Sequence, residues 1–148
     1  MKRLPFALLL SVLFVGACGQ SPSGETERDG GDAATEAVKE THPSVEVNAA
    51  EAAAMLKENP DLVILDIRTP GEFNAGHIKG AVNIDFNALD YKDRIAGLER
   101  EKSYLMHCAS GGRSGMSMEL FEELQFENII HFKTGFRDWA DSGFPVEK

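Results

Sequence analysis

Short apolar runs alternate along residues 45–148 with segments whose apolar positions are spaced as on a helix. Leu62–Leu65 and Tyr104–Met106 are continuously apolar, as is typical of parallel strands buried on both faces. Three shorter runs complete five candidate strands: Val45–Val47, Ala81–Ile84 and Asn128–His131. Strands that alternate with helices predict an α/β fold, with a mostly parallel five-stranded sheet covered by helices on both faces.

The segments between these strands carry helix start signals. Asn48 precedes the alanine-rich stretch Ala49–Glu58, and a glutamate three residues after Asn48 predicts a capping box. Pro70 is expected at the first position of a short helix. Asn87–Arg100 predicts one surface helix or two short ones, and Gly135–Asp141 predicts the last helix.

The stretch from Ser103 to Phe121 joins a predicted strand to a predicted helix through a loop of small residues. Met116, Leu120 and Leu124 follow one another at intervals of four, which predicts the apolar face of that helix. The loop N–H groups and the positive end of the helix dipole would form a pocket for an anion.

Cys108 stands at the start of this loop, where the same field favours the thiolate over the thiol. We therefore predict that Cys108 is a nucleophile. The residues predicted to bind its substrate are Ala109, Ser110, Gly111, Gly112 and Arg113. Two roles fit the arginine, because its planar fork can bind an anionic donor or brace the loop.

The N-terminus predicts export. Lys2 and Arg3 precede an apolar run of 14 residues, Leu4–Ala17, which is shorter than the roughly 20 residues of a spanning helix and suits a signal peptide over residues 1–17. The run ends in Val-Gly-Ala-Cys, which resembles the lipobox of bacterial lipoproteins and implies that Cys18 is lipidated. The alternative is an ordinary secretory signal in which Cys18 is incidental.

Residues 18–44 predict a flexible tether, because they contain no aromatic residue and only one large aliphatic residue. We expect the protein to be held on the periplasmic face of a membrane or at the cell surface, by the lipid on Cys18. Cys108 would then have no disulfide partner in an oxidising compartment. A formal net charge of −9 and the lack of basic runs argue against a nucleic-acid partner.

Three motifs together resemble the rhodanese family. Leu65–Ile84, which reads LDIRTPGEFNAGHIKGAVNI, is similar to the pattern D-x-R, then E-[FY], then G-H-I-x-G-A-x-N. The run CASGGRS from Cys108 to Ser114 matches C-x-x-G-x-R-S. Trp139–Val146 is similar to the closing W-x-x-x-G-[FY]-P-V. The resemblance implies a single rhodanese-like domain over residues 45–148.

It also implies a sulfurtransferase that works through a persulfide on Cys108, without a cofactor. The expected partners are a small anionic sulfur donor such as thiosulfate, and an acceptor that is a thiol or cyanide. Two half-reactions through a covalent intermediate predict ping-pong kinetics. A single small domain on a tether is most simply a monomer.

Other polar residues are predicted to support the site. Asp66 and Arg68 end a strand and suit a structural pair, and His77 suits a residue that fixes a turn in the family pattern. His107 precedes Cys108, but adjacent strand residues point to opposite faces, so we do not expect it to be the base. His42 and His131 have no sequence context of a ligand, and no metal-site spacing is present.

Two positions depart from the family pattern. The chain has Gly135-Phe136 where the family usually has two glycines, and Gln125 where it often has glycine after the active-site helix. Glycine at such places favours a tight turn or a helix cap, so loop geometry is where we expect differences.

Two other functions compete with sulfur transfer. One is a binding or redox-sensing module without catalysis, since a fold alone does not fix its function. The other is a phosphatase, whose related loops resemble C-x5-R. Only four residues separate Cys108 from Arg113, which leaves less room for a tetrahedral oxyanion and favours a single sulfur atom.

Overall fold

The computed structural model describes residues 45–148, which form five strands and five helices in strict alternation. The strands are β1 (Val45–Val47), β2 (Val63–Asp66), β3 (Val82–Asn83), β4 (Ser103–His107) and β5 (Asn128–Phe132). The helices are α1 (Ala49–Glu58), α2 (Pro70–Ala75), α3 (Tyr91–Ala96), α4 (Gly112–Glu123) and α5 (Gly135–Asp141). The predictions for residues 1–44, namely the signal peptide, the lipid on Cys18 and the tether, lie outside the described residues and stay predictions.

All five strands are parallel and pair in the order β1-β5-β4-β2-β3. This confirms the predicted α/β fold, and the sheet is wholly rather than mostly parallel. β4 lies at the centre of the sheet, so the loop that follows it opens between the ends of β2 and β5. Within residues 45–148, no helix has the length and apolar character needed to cross a membrane.

Side chains of successive strand residues enter two separate cores, one on each face of the sheet. On β4, Tyr104 and Met106 pack with α3 and α4, whereas Leu105 packs with α1 and α5. All three side chains are almost fully buried. This alternation follows from the strand period of two, and it sends each residue after β4 to a defined side of the sheet.

The helix starts and caps were predicted correctly where they depend on neighbouring residues. α1 has the predicted bounds, and its capping box is confirmed by hydrogen bonds in both directions between Asn48 and Glu51. α2 begins at Pro70, as predicted. The region Asn87–Arg100 contains only the six-residue α3, since the residues before it form turns.

The predicted apolar face of α4 is confirmed in part: Leu120 and Leu124 are partly buried and pack against the core, whereas Met116 does not. Met116 is 65% exposed, and the side chains that face the sheet are those of Ser114, Ser117 and Phe121. The first turns of α4 lie so close to β5 that a β-carbon on Gly115 would be 3.7 Å from the ring of His131. The buried positions in the first half of α4 are serines, whereas the large buried side chain, Phe121, lies near the end of the helix.

Candidate active site

Four residues, 108–111, connect the central strand to the N-terminus of α4. Gly111 has φ of +89°, and a β-carbon placed there would lie 1.8 Å from the carbonyl oxygen of Lys133. Both the left-handed backbone and the close approach require glycine at this position. The sequence thus folds the loop back against the segment after β5, and this directs the loop N–H groups inward.

The N-terminus of α5 holds the other side of the loop. Gly135 has φ of +69°, and a β-carbon there would lie 2.7 Å from the carbonyl oxygen of Cys108. The N–H of Phe136 donates to that same oxygen at 2.9 Å, and the N–H of Arg137 donates to the carbonyl of Ala109 at 3.0 Å. This packing therefore requires glycine at position 135, and the next position accepts Phe136 in a helical conformation.

Cys108 lies at the bottom of the loop and is only 1% exposed. Burial raises the pKa of its thiol, but this is outweighed by hydrogen bonds from the N–H and hydroxyl of Ser114 and from the N–H groups of Ser110 and Gly111. The pKa of Cys108 therefore lies below the ordinary value of a cysteine. N–H groups of the loop point at the sulfur, as the sequence predicts. Ser114 adds two hydrogen-bond donors, and it was not among the residues predicted to bind the substrate.

Ser114 connects the cysteine to a histidine on β5. Its hydroxyl oxygen lies 3.6 Å from the sulfur of Cys108 and 3.0 Å from Nε2 of His131. On the far side of the ring, Nδ1 of His131 lies 3.5 Å from a carboxylate oxygen of Glu46. Nothing in the sequence indicated this connection for His131, because 17 residues separate it from Ser114.

Arg113 is engaged by a carboxylate. Its guanidinium donates to both oxygens of Glu72, at 2.9 and 2.7 Å, in the bidentate geometry that suits this pair. Glu72 also accepts hydrogen bonds from the N–H and hydroxyl of Thr69, so it caps α2 at the same time. The hydrogen bonds from Arg113 are the largest cause that lowers the pKa of Glu72 to about 2. In this arrangement Arg113 braces the loop.

Asp66 and Arg68 form a buried ion pair behind the loop. Two nitrogens of Arg68 donate to the carboxylate of Asp66, and a third contact runs from Arg68 to the carbonyl of Gly76 at 2.8 Å. The guanidinium carbon lies 3.8 Å from the centre of the Phe136 ring, a cation–π contact. Asp66 is 0% exposed and Arg68 is 3% exposed, which suits the supporting role predicted for this pair.

His77 lies in the turn after α2. Its Nδ1 is 3.1 Å from the carbonyl oxygen of Phe73, and the two rings stack with centres 3.9 Å apart. Its backbone pairs with Glu147 in a two-residue bridge. These contacts hold a turn, and they are consistent with the prediction that His77 is a supporting residue.

His107 lies on the opposite side of the sheet from the cysteine. Its ring is near those of Phe132 and Phe136, whereas Cys108 belongs to the core formed with α3 and α4. Nδ1 of His107 lies 3.1 Å from the carbonyl oxygen of Cys108, and a carbonyl only accepts, so this nitrogen carries the proton. The geometry agrees with the argument from strand alternation that His107 is not the base.

The arrangement combines a buried thiol, converging donors and a braced loop. Such a site stabilises a sulfur anion. In the part of the chain that the structure describes, no three side chains of His, Cys, Asp or Glu are grouped as a metal site would require.

Comparisons with known proteins agree with this geometry. The family model of the rhodanese-like domain matches residues 48–142, which is more than half of the chain. A sulfurtransferase of Allochromatium vinosum is 23% identical over 101 residues, which cover 68% of this chain and 92% of that protein. The thiosulfate:glutathione sulfurtransferase of Saccharomyces cerevisiae is 24% identical over 99 residues, which cover 59% of this chain and 70% of that protein.

Among solved structures, a rhodanese-related protein of Thermoplasma volcanium is 36% identical, with a TM-score of 0.58. The match covers 70% of this chain and 97% of that one. The region that the family model matches contains the entire loop from Cys108 to Arg113, together with β4 and β5. The relatives of this chain that are named sulfurtransferases are distant in sequence. The chain belongs to the family of rhodanese-like domains.

Proposed function

We propose that the protein is a sulfurtransferase that moves sulfane sulfur from a small anionic donor to a thiol acceptor, or to cyanide in an assay. In the first half-reaction, the thiolate of Cys108 attacks the outer sulfur of a thiosulfate-like donor. The sulfur–sulfur bond of the donor breaks, and sulfite leaves with the bonding electron pair. Cys108 is then a persulfide that carries one negative charge.

In the second half-reaction, an acceptor thiolate or cyanide attacks the outer sulfur of the persulfide. The bond between the two sulfurs breaks, the acceptor gains the outer sulfur, and Cys108 returns as a thiolate. Sulfur atoms and charge balance in both steps, so no oxidant, reductant or cofactor is required.

The observation that carries this proposal is the set of hydrogen bonds that converge on Cys108 from Ser110, Gly111 and Ser114. They stabilise the thiolate that attacks in the first step and leaves in the second. The near-complete burial of Cys108 favours a small donor over a bulky one. The relative from Saccharomyces cerevisiae is named for thiosulfate and glutathione, which supports this pair of substrate classes here.

A steady-state assay of sulfur transfer from thiosulfate to cyanide tests the proposal. We expect double-reciprocal plots at several cyanide concentrations to be parallel, as in ping-pong kinetics. Cys108→Ser should lose transfer to the uncatalysed rate, because a serine hydroxyl does not form the persulfide. Transfer by Cys108→Ser would remove Cys108 from its role.

The same preparations discriminate the alternatives. Turnover of an aryl phosphate by the native protein, abolished in Cys108→Ser, would support the phosphatase instead. Absence of both activities, together with a Cys108 that gains no sulfur from thiosulfate, would support a binding or redox-sensing module.

A further inference from the structure

A continuous line of polar atoms leads from the buried cysteine to the edge of the sheet. It runs from the sulfur of Cys108 to the hydroxyl of Ser114 (3.6 Å), and from there to Nε2 of His131 (3.0 Å). It ends at Glu46, whose carboxylate is 3.5 Å from Nδ1 of the same ring. We propose that His131 is a positioning residue for Cys108, which in its imidazolium form stabilises the thiolate through the Ser114 hydroxyl.

The single hydroxyl proton of Ser114 supports an effect of the imidazolium on the thiolate. The hydroxyl has one proton and three neighbours within reach, namely Cys108, His131 and the carbonyl of Gly111 at 3.0 Å. When Nε2 of His131 is unprotonated, the hydroxyl proton is drawn to that nitrogen and away from the sulfur. When Nε2 carries a proton, it donates to Ser114, and the hydroxyl proton is free to point at the thiolate.

The thiol and the histidine are therefore coupled. A proton that leaves the Cys108 sulfur can pass to the Ser114 oxygen while the hydroxyl proton passes to Nε2 of His131. The products are a thiolate and an imidazolium, with Ser114 unchanged. This is the arrangement of a cysteine–histidine pair with a hydroxyl inserted between its members.

The ring of His131 lies between Ser114 and a carboxylate. The His131 side chain is 8% exposed, and the carboxylate of Glu46, on β1, lies beside Nδ1. Lys133, which follows β5, donates to the other oxygen of that carboxylate at 3.1 Å. It therefore competes with His131 for the negative charge of Glu46. On the α4 side, the helix packs directly against the ring, since a β-carbon at Gly115 would lie 3.7 Å from Cε1, an ordinary contact distance.

If the proposed function is correct, this connection acts in both half-reactions, because Cys108 is the nucleophile in one and the leaving group in the other. The connection itself concerns ionisation of the thiol and does not depend on which sulfur donor is used. A test that reads the thiolate directly therefore succeeds or fails independently of sulfur transfer.

The test measures the ultraviolet absorbance of the thiolate against pH in the full chain, corrected by subtracting the matching Cys108→Ser variant. His131→Gln should reduce the thiolate fraction at about pH 6 by a factor of about five to ten, as expected when an opposite charge is lost near a titrating group. At about pH 10 the thiolate should be complete in both proteins, since that pH lies above the ordinary pKa of a cysteine.

Two further variants keep the test decisive if His131→Gln is poorly folded. Glu46→Gln, at the partly exposed end of the line, should shift the titration in the same direction by a smaller factor. Ser114→Ala should remove the coupling, so that His131→Gln has no added effect in that background. Ser117→Ala removes another buried hydroxyl from α4, one that bonds to Tyr91 and not to Cys108, and should leave the titration unchanged.

An unchanged thiolate fraction in both His131→Gln and Glu46→Gln would overturn the proposal. So would a full effect of His131→Gln in the Ser114→Ala background, because the charge would then act without the hydroxyl.

Discussion

Arg113 and Glu72 are joined by two hydrogen bonds of 2.9 and 2.7 Å, although 41 residues separate them in the chain. The pair ties the first turn of α4 to the first turn of α2, and so fixes one wall of the cysteine loop. Both terminal nitrogens of the guanidinium bind Glu72, and the Arg113 side chain also interacts with Cys108, so it braces the loop and faces the thiolate.

We expect Glu72→Gln to slow sulfur transfer several-fold, because the amide retains the cap of α2 but offers Arg113 no negative charge. Steady-state assays with thiosulfate and cyanide measure this effect. Glu51→Gln is the matched control, since Glu51 has the equivalent capping position in α1 and is not bonded to the loop. Equal rates for Glu72→Gln and the native protein would show that the brace is dispensable.

The same pair should contribute a small, pH-dependent part of the stability. Arg113 lowers the pKa of Glu72 from 4.5 to about 2, so the contribution is complete above about pH 4.5 and is lost as pH falls towards 2. At neutral pH, Glu72→Gln should lower the free energy of unfolding by about 1 kcal/mol or less, because solvent screens a carboxylate that is 36% exposed. Urea unfolding should show this difference shrinking below pH 4.5, whereas a difference that grows there would contradict the pairing.

Two adjacent glycines should respond in opposite ways to alanine. In Gly111→Ala the new β-carbon meets the Lys133 carbonyl at 1.8 Å with φ of +89°, so we expect the loop to be displaced and activity to be lost. Gly112 has nothing within 4 Å of its β-carbon position and begins α4, so Gly112→Ala should be tolerated. Circular dichroism checks folding and the transfer assay checks the loop. Full activity in Gly111→Ala would refute the close approach.

Gln125 ends α4 in the left-handed conformation, with φ of 59°. Its N–H donates to Glu122, the N–H of Phe126 donates to Phe121, and the rings of those two phenylalanines contact each other. These are the two bonds and the apolar contact of a Schellman motif, which usually has glycine at this position.

We therefore expect Gln125→Gly to raise the free energy of unfolding by about 0.5–1 kcal/mol, the relief of the left-handed conformation less the greater flexibility of the unfolded chain. Urea denaturation measures the gain. Glu123→Gly, two residues earlier and within α4, is the control and should be destabilising by about 1 kcal/mol. A loss of stability in Gln125→Gly would contradict this explanation.

His107 should make the domain less stable in weak acid. Burial lowers the pKa of its ring, an effect only partly opposed by the nearby carboxylate of Asp66. Below its ordinary value of 6.5 the unfolded chain therefore takes up a proton that the folded chain does not, and stability falls as pH decreases.

His107→Asn retains a donor towards the carbonyl of Cys108 and removes the titrating ring. Unfolding at about pH 7.5 and about pH 5 should show a smaller pH-dependent loss for this variant than for the native protein, by up to about 1.4 kcal/mol per pH unit. An identical loss in both proteins would mean that another group is responsible.

The sequence predicted those parts of the fold that depend on neighbouring residues. The capping box of α1, the start of α2 at Pro70 and the order of strands and helices all follow from local signals or from the period of apolar positions. The prediction for α4 failed at Met116, because the spacing of Met116, Leu120 and Leu124 cannot report which positions of the helix contact the sheet.

The loop after β4 could be predicted for the same reason, since a strand, four loop residues and a helix are contiguous. The contacts of Ser114 with His131, and of Arg113 with Glu72, join distant segments that only the register of the sheet brings together. Their geometry was therefore absent from the sequence pattern, although Ser114, Arg113 and Glu72 each belong to a quoted motif.

The mass of the peptide that contains Cys108, measured after exposure of the full chain to thiosulfate, tests the central claim most directly. We predict a gain of one sulfur atom on Cys108, its removal by cyanide or a thiol, and no gain in Cys108→Ser. A native Cys108 peptide that gains no sulfur while the protein transfers sulfur from thiosulfate to cyanide would contradict the account.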